Sequence, residues 1–176
     1  MLQLKNLNNM KKLNFLKTIV DYIWILSIIC YPLIIVVCAT MLISNNPIDL
    51  PIKIAGNSIE LNTIWNKIGL IISLLNFGLM LYALYNFKKV LLNFKNKLIF
   101  EVETCNLLDK IGNIIIYSSV LYVITELLLI FSKNSVSIEF GFGPFLYLIA
   151  LGLFFKVLSE VFLIAKRIKE ENELTI

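Results

Sequence analysis

Four apolar stretches, at residues 19–44, 64–87, 110–132 and 144–165, limit what this chain can fold into more than any other feature. Each is long enough to cross a bilayer, since about 20 helical residues span a hydrocarbon core about 30 Å thick. One soluble core could not absorb them. Of the 176 residues 59% are hydrophobic, and the mean hydropathy is +0.84, whereas a soluble domain of that size still exposes much of its surface to water. The predicted fold is an all-α membrane protein: a single domain over residues 1–176, a four-transmembrane-helix bundle with a tail at 166–176. Its first partner is the lipid bilayer.

The segments between the spans supply the details. Residues 1–18 carry Lys5, Lys11, Lys12 and Lys17 and no acid. Two readings stay open there, a short interfacial helix on Leu4, Leu7, Met10, Leu13 and Leu16, or a frayed basic lead-in. The first span reads as an anchor and not a cleaved signal: it exceeds the usual apolar region, no A-x-A site follows, and Val37 before Cys38 suits a lipoprotein site poorly. Pro32 removes a backbone donor near its middle and predicts a kink. In 45–62 the residues Ile48, Leu50, Ile52 and Ile54 alternate, and Ile59 and Leu61 resume after Gly56-Asn57. That pattern predicts a small extracytoplasmic β-hairpin between helices 1 and 2, turning at Gly56-Asn57. Trp65, Lys67, Tyr82, Tyr85, Lys88 and Lys89 flank the second span as interface anchors, and Pro144 suits the first turn of the fourth.

Basic residues give the expected orientation. Lys5, Lys11, Lys12, Lys17, Lys88, Lys89, Lys95, Lys97, Lys110, Lys166, Arg167 and Lys169 fall on one side of the four spans, against Lys53, Lys67 and Lys133 on the other. The positive-inside rule then places both termini of a multi-pass protein in the cytoplasm.

Composition removes most enzymatic chemistry. There is no histidine, so Ser-His and Cys-His pairs and imidazole metal ligands are absent. Cys30 and Cys38 lie within a span and Cys105 at a helix start, which predicts small buried hydrophobes and no disulfide framework. Glu170-Glu171 lacks the arginine and histidines of a glutamate-type intramembrane protease, and no aspartate pair lies within the spans. A non-enzyme without cofactor or metal is expected. The net charge of +4 is spread between spans, so no direct nucleic-acid partner is expected either.

What remains is a set of polar groups at membrane depth. Counted from the outer boundary at 1.5 Å per residue, Glu126 lies roughly 9 Å deep, Lys156 roughly 16 Å and Glu160 roughly 22 Å, with Asn76 and Tyr122 near the level of Lys156. Ser119, Tyr122 and Glu126 share one face of the third helix, and Gly152, Lys156, Ser159 and Glu160 share one face of the fourth. If the two faces meet, Lys156 bridges two carboxylates and Gly152 permits close packing. That arrangement is a structural lock, or alternatively a proton, ion or small-ligand pathway.

The most specific stretches are the segment after the second span and the chain end. Phe100, Glu103, Leu108, Ile111 and Gly112, then Ser159-Glu160-Val161-Phe162 and the closing Lys169-Glu170-Glu171-Asn172-Glu173-Leu174-Thr175-Ile176, resemble the motifs of DUF2975, a bacterial four-span membrane family of unknown function. The chain departs from its pattern at Glu101, Thr104 and Ala165. The resemblance implies four helices, a bacterial inner membrane, no established activity, and a small helix-turn-helix regulator as a partner of the cytoplasmic face. Another membrane protein, or a second copy of the chain, would serve equally. The candidate docking residues are Phe100, Glu103, Leu108, Gly112, Glu170, Glu171, Leu174, Thr175 and Ile176, with the end of the tail expected to pack back against the Phe100 to Gly112 connector or, alternatively, to be captured by a partner. The function expected is that of a non-enzymatic interaction or regulatory membrane component. A small transporter or channel subunit using the Glu/Lys layer is the alternative.

Overall fold

The computed structural model describes residues 2–43, 53–54, 57–58, 63–133 and 143–174. Four helices account for almost all of them: α1 Leu2–Ile43, α2 Ile64–Lys95, α3 Val102–Lys133 and α4 Pro144–Leu174. Each contains a window long and apolar enough to cross a membrane.

The helices outrun the apolar stretches because lysine, arginine and glutamate are good helix formers and a helix already nucleated in the span adds residues at little cost, asparagines included. The lead-in is neither a separate interfacial helix nor frayed, since α1 is continuous from Leu2, a run of 42 residues and about 63 Å. Lys17 bonds Asp21 one turn on, at 2.5 Å. The hydroxyls of Thr18, Ser27 and Thr40 donate to carbonyls of their own helix, which satisfies them where no water is available. Pro32 lies inside α1, which runs through it.

Each helix packs on its predecessor in the chain: α1 on α2, α2 on α3, and α3 on α4. The contacts are antiparallel at every step. Trp24 meets Tyr85 and Tyr31 meets Phe77, Asn93 meets Thr104, and Lys156 meets Asp109. Helices α2 and α4 also touch through Phe87–Phe155 and Phe94–Phe162, so α2, α3 and α4 form a three-cornered core with α1 laid along α2. At the centre of that core lie Ala83, Val90, Leu108, Ile111, Ile114 and Ile115.

The distribution of polarity is that of a membrane protein. Among the fully buried side chains are Thr104, Ser118 and Ser119, while Leu26, Leu33, Phe154 and Val157 point outward at more than half exposure. Small hydrogen-bonded residues line the helix contacts and large apolar ones face out, as lipid-exposed bundles require. Cys30, Cys38 and Cys105 are free thiols, the last two buried.

The expected β-hairpin is not supported. Among the described residues of that segment there is only a two-residue antiparallel pairing, Lys53 with Ser58 and Ile54 with Asn57. Asn57 is thus a paired residue and not part of the turn, and two residues a side are too few for the alternating hairpin expected from 48–61. The rest of that segment, the second loop at 134–142, and Thr175 and Ile176 lie outside the described residues.

Candidate functional site

The polar groups that come together lie where α3 crosses α4. Cys105, Asp109, Gly112, Asn113 and Ile116 recur at three- and four-residue spacing on α3, and Gly152, Lys156 and Ser159 do so on α4. Glycines let the backbones approach. A Cβ on Gly152 would lie 2.7 Å from Ile116 Cγ1 and 3.0 Å from the Gly112 carbonyl oxygen, so neither position has room for a side chain. About two turns away, Ser159 donates to the Cys105 carbonyl oxygen at 2.7 Å.

Lys156 closes the crossing. Its Nζ donates to Asp109 Oδ1 at 2.7 Å and to Asn113 Oδ1 at 2.8 Å, and Asn113 Nδ2 donates back to Asp109 Oδ2 at 2.9 Å. All three groups are mutually satisfied. The Lys156 and Asp109 side chains keep 37% and 46% of their exposure, so this ring of bonds sits on the side of the bundle and not at its centre.

The expected bridge from Lys156 to Glu126 and Glu160 does not form. Among the described residues Lys156 pairs with Asp109 alone. Glu126 lies beside Tyr122, one turn along its own helix, and Glu160 is exposed. Ser119 is fully buried and donates to Ile116 of its own helix. Asn76 accepts a hydrogen bond from Ser118, and both line a cleft of about 560 Å³ with Ser73, Tyr122 and Thr125. The expected layer is therefore split: Asn76 and Tyr122 belong to a cleft between α2, α3 and α4, and Lys156 to the α3–α4 crossing. Asp109 was missed because its position before Lys110 suggested the connector, and Asn113, inside the third span, because an uncharged amide there drew no attention beside Glu126. The signal that finds them is their four-residue spacing around Gly112.

At the turn end of the bundle the connector is tightly built. α2 ends with the amides of Lys97 and Leu98 donating to the carbonyls of Phe94 and Asn93, a Schellman closure in which Lys97 adopts a φ of 64°. Thr104, fully buried, donates to the Leu98 carbonyl at 2.8 Å and accepts from Asn93 Nδ2 at 3.2 Å. Phe100 packs edge-on against Phe162 at 5.5 Å, and Lys166 lies 3.9 Å from Glu101. Of the expected docking residues, Phe100, Glu103, Glu170 and Glu171 are exposed at this end. Leu108 is not, at 1% exposure, because it points into the core, and Gly112 lies in the α3–α4 crossing. The tail does not return to Phe100. α4 stays helical to Leu174, about 18 Å beyond Phe162, supported by Lys166–Glu170 and Lys169–Glu173 pairs at 3.5 and 3.7 Å.

Among the described residues no three His, Cys, Asp or Glu side chains converge as a metal-ligand set. The family described as "Protein of unknown function (DUF2975)" matches residues 10–176. The chain belongs to DUF2975. No curated protein and no solved structure matches it. This DUF2975 chain is a multi-pass membrane protein, with its exposed apolar faces matched to lipid and its charged residues concentrated toward the turn end.

Proposed function

We propose that this chain is a non-enzymatic interaction or regulatory component of the bacterial inner membrane, with both termini and the α2–α3 turn in the cytoplasm. The observation that carries the reading is the rigid platform at the turn end. Phe100 is fixed on Phe162, Glu101 is tied toward Lys166, and α4 extends as a helix through Glu170 and Glu171. A surface ordered in advance binds a partner with less entropic cost than a flexible one. Its rim is of mixed charge, with exposed Glu103 and Glu171, with Glu101, Glu170 and Glu173 paired to Lys166 or Lys169, and with exposed Lys95, Lys97 and Arg167. That suits a partner with a charged polar face, such as a small helix-turn-helix regulator. The basic asymmetry of the sequence supports the orientation.

A photocrosslinking residue in place of Glu171, in cells, tests the reading. A discrete adduct that disappears with Glu170→Lys and Phe100→Ala supports it, as does a cytoplasmic signal from a reporter fused after Ile176. An extracytoplasmic signal, or no adduct from any platform position, sinks it.

The alternative, a small transporter or channel subunit, is favoured by the cleft between α2, α3 and α4, whose wall carries Ser73, Asn76, Ser118, Tyr122 and Thr125. Solute flux into liposomes that falls on Asn76→Leu, with folding unchanged, would establish that reading instead.

A further inference from the structure

Three lysines stand over aromatic rings near the turn end: Lys88 over Trp24 at 4.4 Å, Lys89 over Tyr85 at 4.6 Å and Lys110 over Tyr82 at 4.9 Å. They are not equivalent. Lys88 also lies 3.3 Å from Asp21, which bonds Lys17 as well, so on the α1 side of α2 one carboxylate offsets part of the charge of two lysines. Lys89 and Lys110 have no carboxylate within 4 Å among the described residues. Both are exposed.

The two free cations come from different helices to one face. Tyr82, Tyr85 and Lys89 lie on the same side of α2 at helical spacing, and Lys110 reaches across from α3 onto Tyr82. Seating each ammonium on a ring restricts it before any ligand arrives and adds cation–π attraction. From each lysine an exposed apolar stripe runs into the span at seven-residue steps: Tyr82, Leu75 and Ile68 from Lys89, and Tyr117 and Ile124 from Lys110. A paired positive charge at the polar end of two parallel apolar stripes has the complement of an anionic amphiphile.

We infer that this α2–α3 face binds an anionic phospholipid, its phosphodiester headgroup between Lys89 and Lys110 and its acyl chains along the two stripes. The stripes distinguish a lipid from free phosphate, which would have no use for them. The charges distinguish it from a zwitterionic lipid, whose own ammonium opposes a site with two uncompensated cations.

Lipid titration of the full chain in a neutral detergent, read by native mass spectrometry, tests this. Dioleoyl phosphatidylglycerol should bind in preference to dioleoyl phosphatidylcholine. Lys89→Gln/Lys110→Gln should weaken it about fivefold for each lysine, roughly 25-fold together, at about 1 kcal/mol per lysine. Lys89→Arg/Lys110→Arg should restore binding to within about twofold, and Lys95→Gln/Lys97→Gln, which removes equal charge from the same end, should leave it within the same margin. The site is refuted if both glutamine pairs weaken binding equally, if the Lys89/Lys110 pair leaves it unchanged, or if phosphatidylcholine binds as well. Inorganic phosphate that displaces phosphatidylglycerol at millimolar concentration would refute the lipid and leave an anion site.

Discussion

Gly112 and Gly152 face each other so closely across α3 and α4 that a Cβ on Gly112 would lie 2.7 Å from the Gly152 carbonyl oxygen and 2.6 Å from Lys156 Cγ. A side-chain methylene can turn aside, but a helix carbonyl cannot. Gly112→Ala should therefore separate the two helices and destabilise the fold by about 1–3 kcal/mol, as overpacking does, even though alanine favours the helix by up to about 1 kcal/mol. Gly69→Ala is the contrast, because its Cβ would meet Leu129 at an ordinary 3.5 Å. Thermal unfolding in detergent should lower the midpoint for the first variant and not the second.

Lys156 and Asp109 predict a coupling. Lys156→Met leaves Asp109 with only Asn113 for a partner, whereas Lys156→Met/Asp109→Asn removes both charges. The single change should cost more than the double, since a charge left unpaired beside lipid is worse than none. Chemical unfolding of the wild type, both singles and the double gives the coupling directly. A value near zero would make the pair incidental to stability.

Thr104, in the first turn of α3, ties the end of α2 to the connector through one hydroxyl. Thr104→Val keeps the shape but leaves the Leu98 carbonyl and Asn93 amide without that partner, for a loss of about 1–3 kcal/mol. Thr104→Ser, which keeps the hydroxyl, should cost clearly less. Hydrogen exchange across residues 96–101 should rise in the valine variant alone.

Lys97 occupies a left-handed position that glycine fills without strain. Lys97→Gly should stabilise the protein by about 1 kcal/mol, the cost a side chain bears in that conformation. Lys97→Ala should gain little, because alanine keeps the Cβ. Unfolding midpoints ordered glycine above alanine and lysine would bear this out.

The number and type of the helices were legible because hydropathy measures transfer to lipid, and four windows carry that signal strongly. Their ends were not, since lipid boundaries and helix ends are set by different forces. α3 begins at Val102 and not at Lys110, and that difference moved Asp109 from connector to helix and changed the partner of Lys156. Contacts between helices were harder still. They are made by Gly112, Gly152, Ser159 and Thr104, small residues to which a hydropathy pattern is nearly blind, and the choice between Asp109 and Glu160 for Lys156 depends on a register that only packing fixes. The docking residues divided for the same reason: Leu108 looks like any apolar residue until the helix is turned to face the core.

The neighbour-by-neighbour packing of α1 on α2, α2 on α3 and α3 on α4 bears on how the protein is made. A chain leaving the ribosome can pair each helix with the one just completed, so its main contacts close short stretches of sequence and form early. The α3–α4 crossing and the α2–α4 contacts, Phe87 with Phe155 and Phe94 with Phe162, must wait for the last helix, and only the second of these skips a helix in the chain. Truncation within 134–142 should thus leave a three-helix chain that inserts and pairs but lacks both the α3–α4 crossing and the aromatic seam on α2, a natural stopping point at which assembly can be caught.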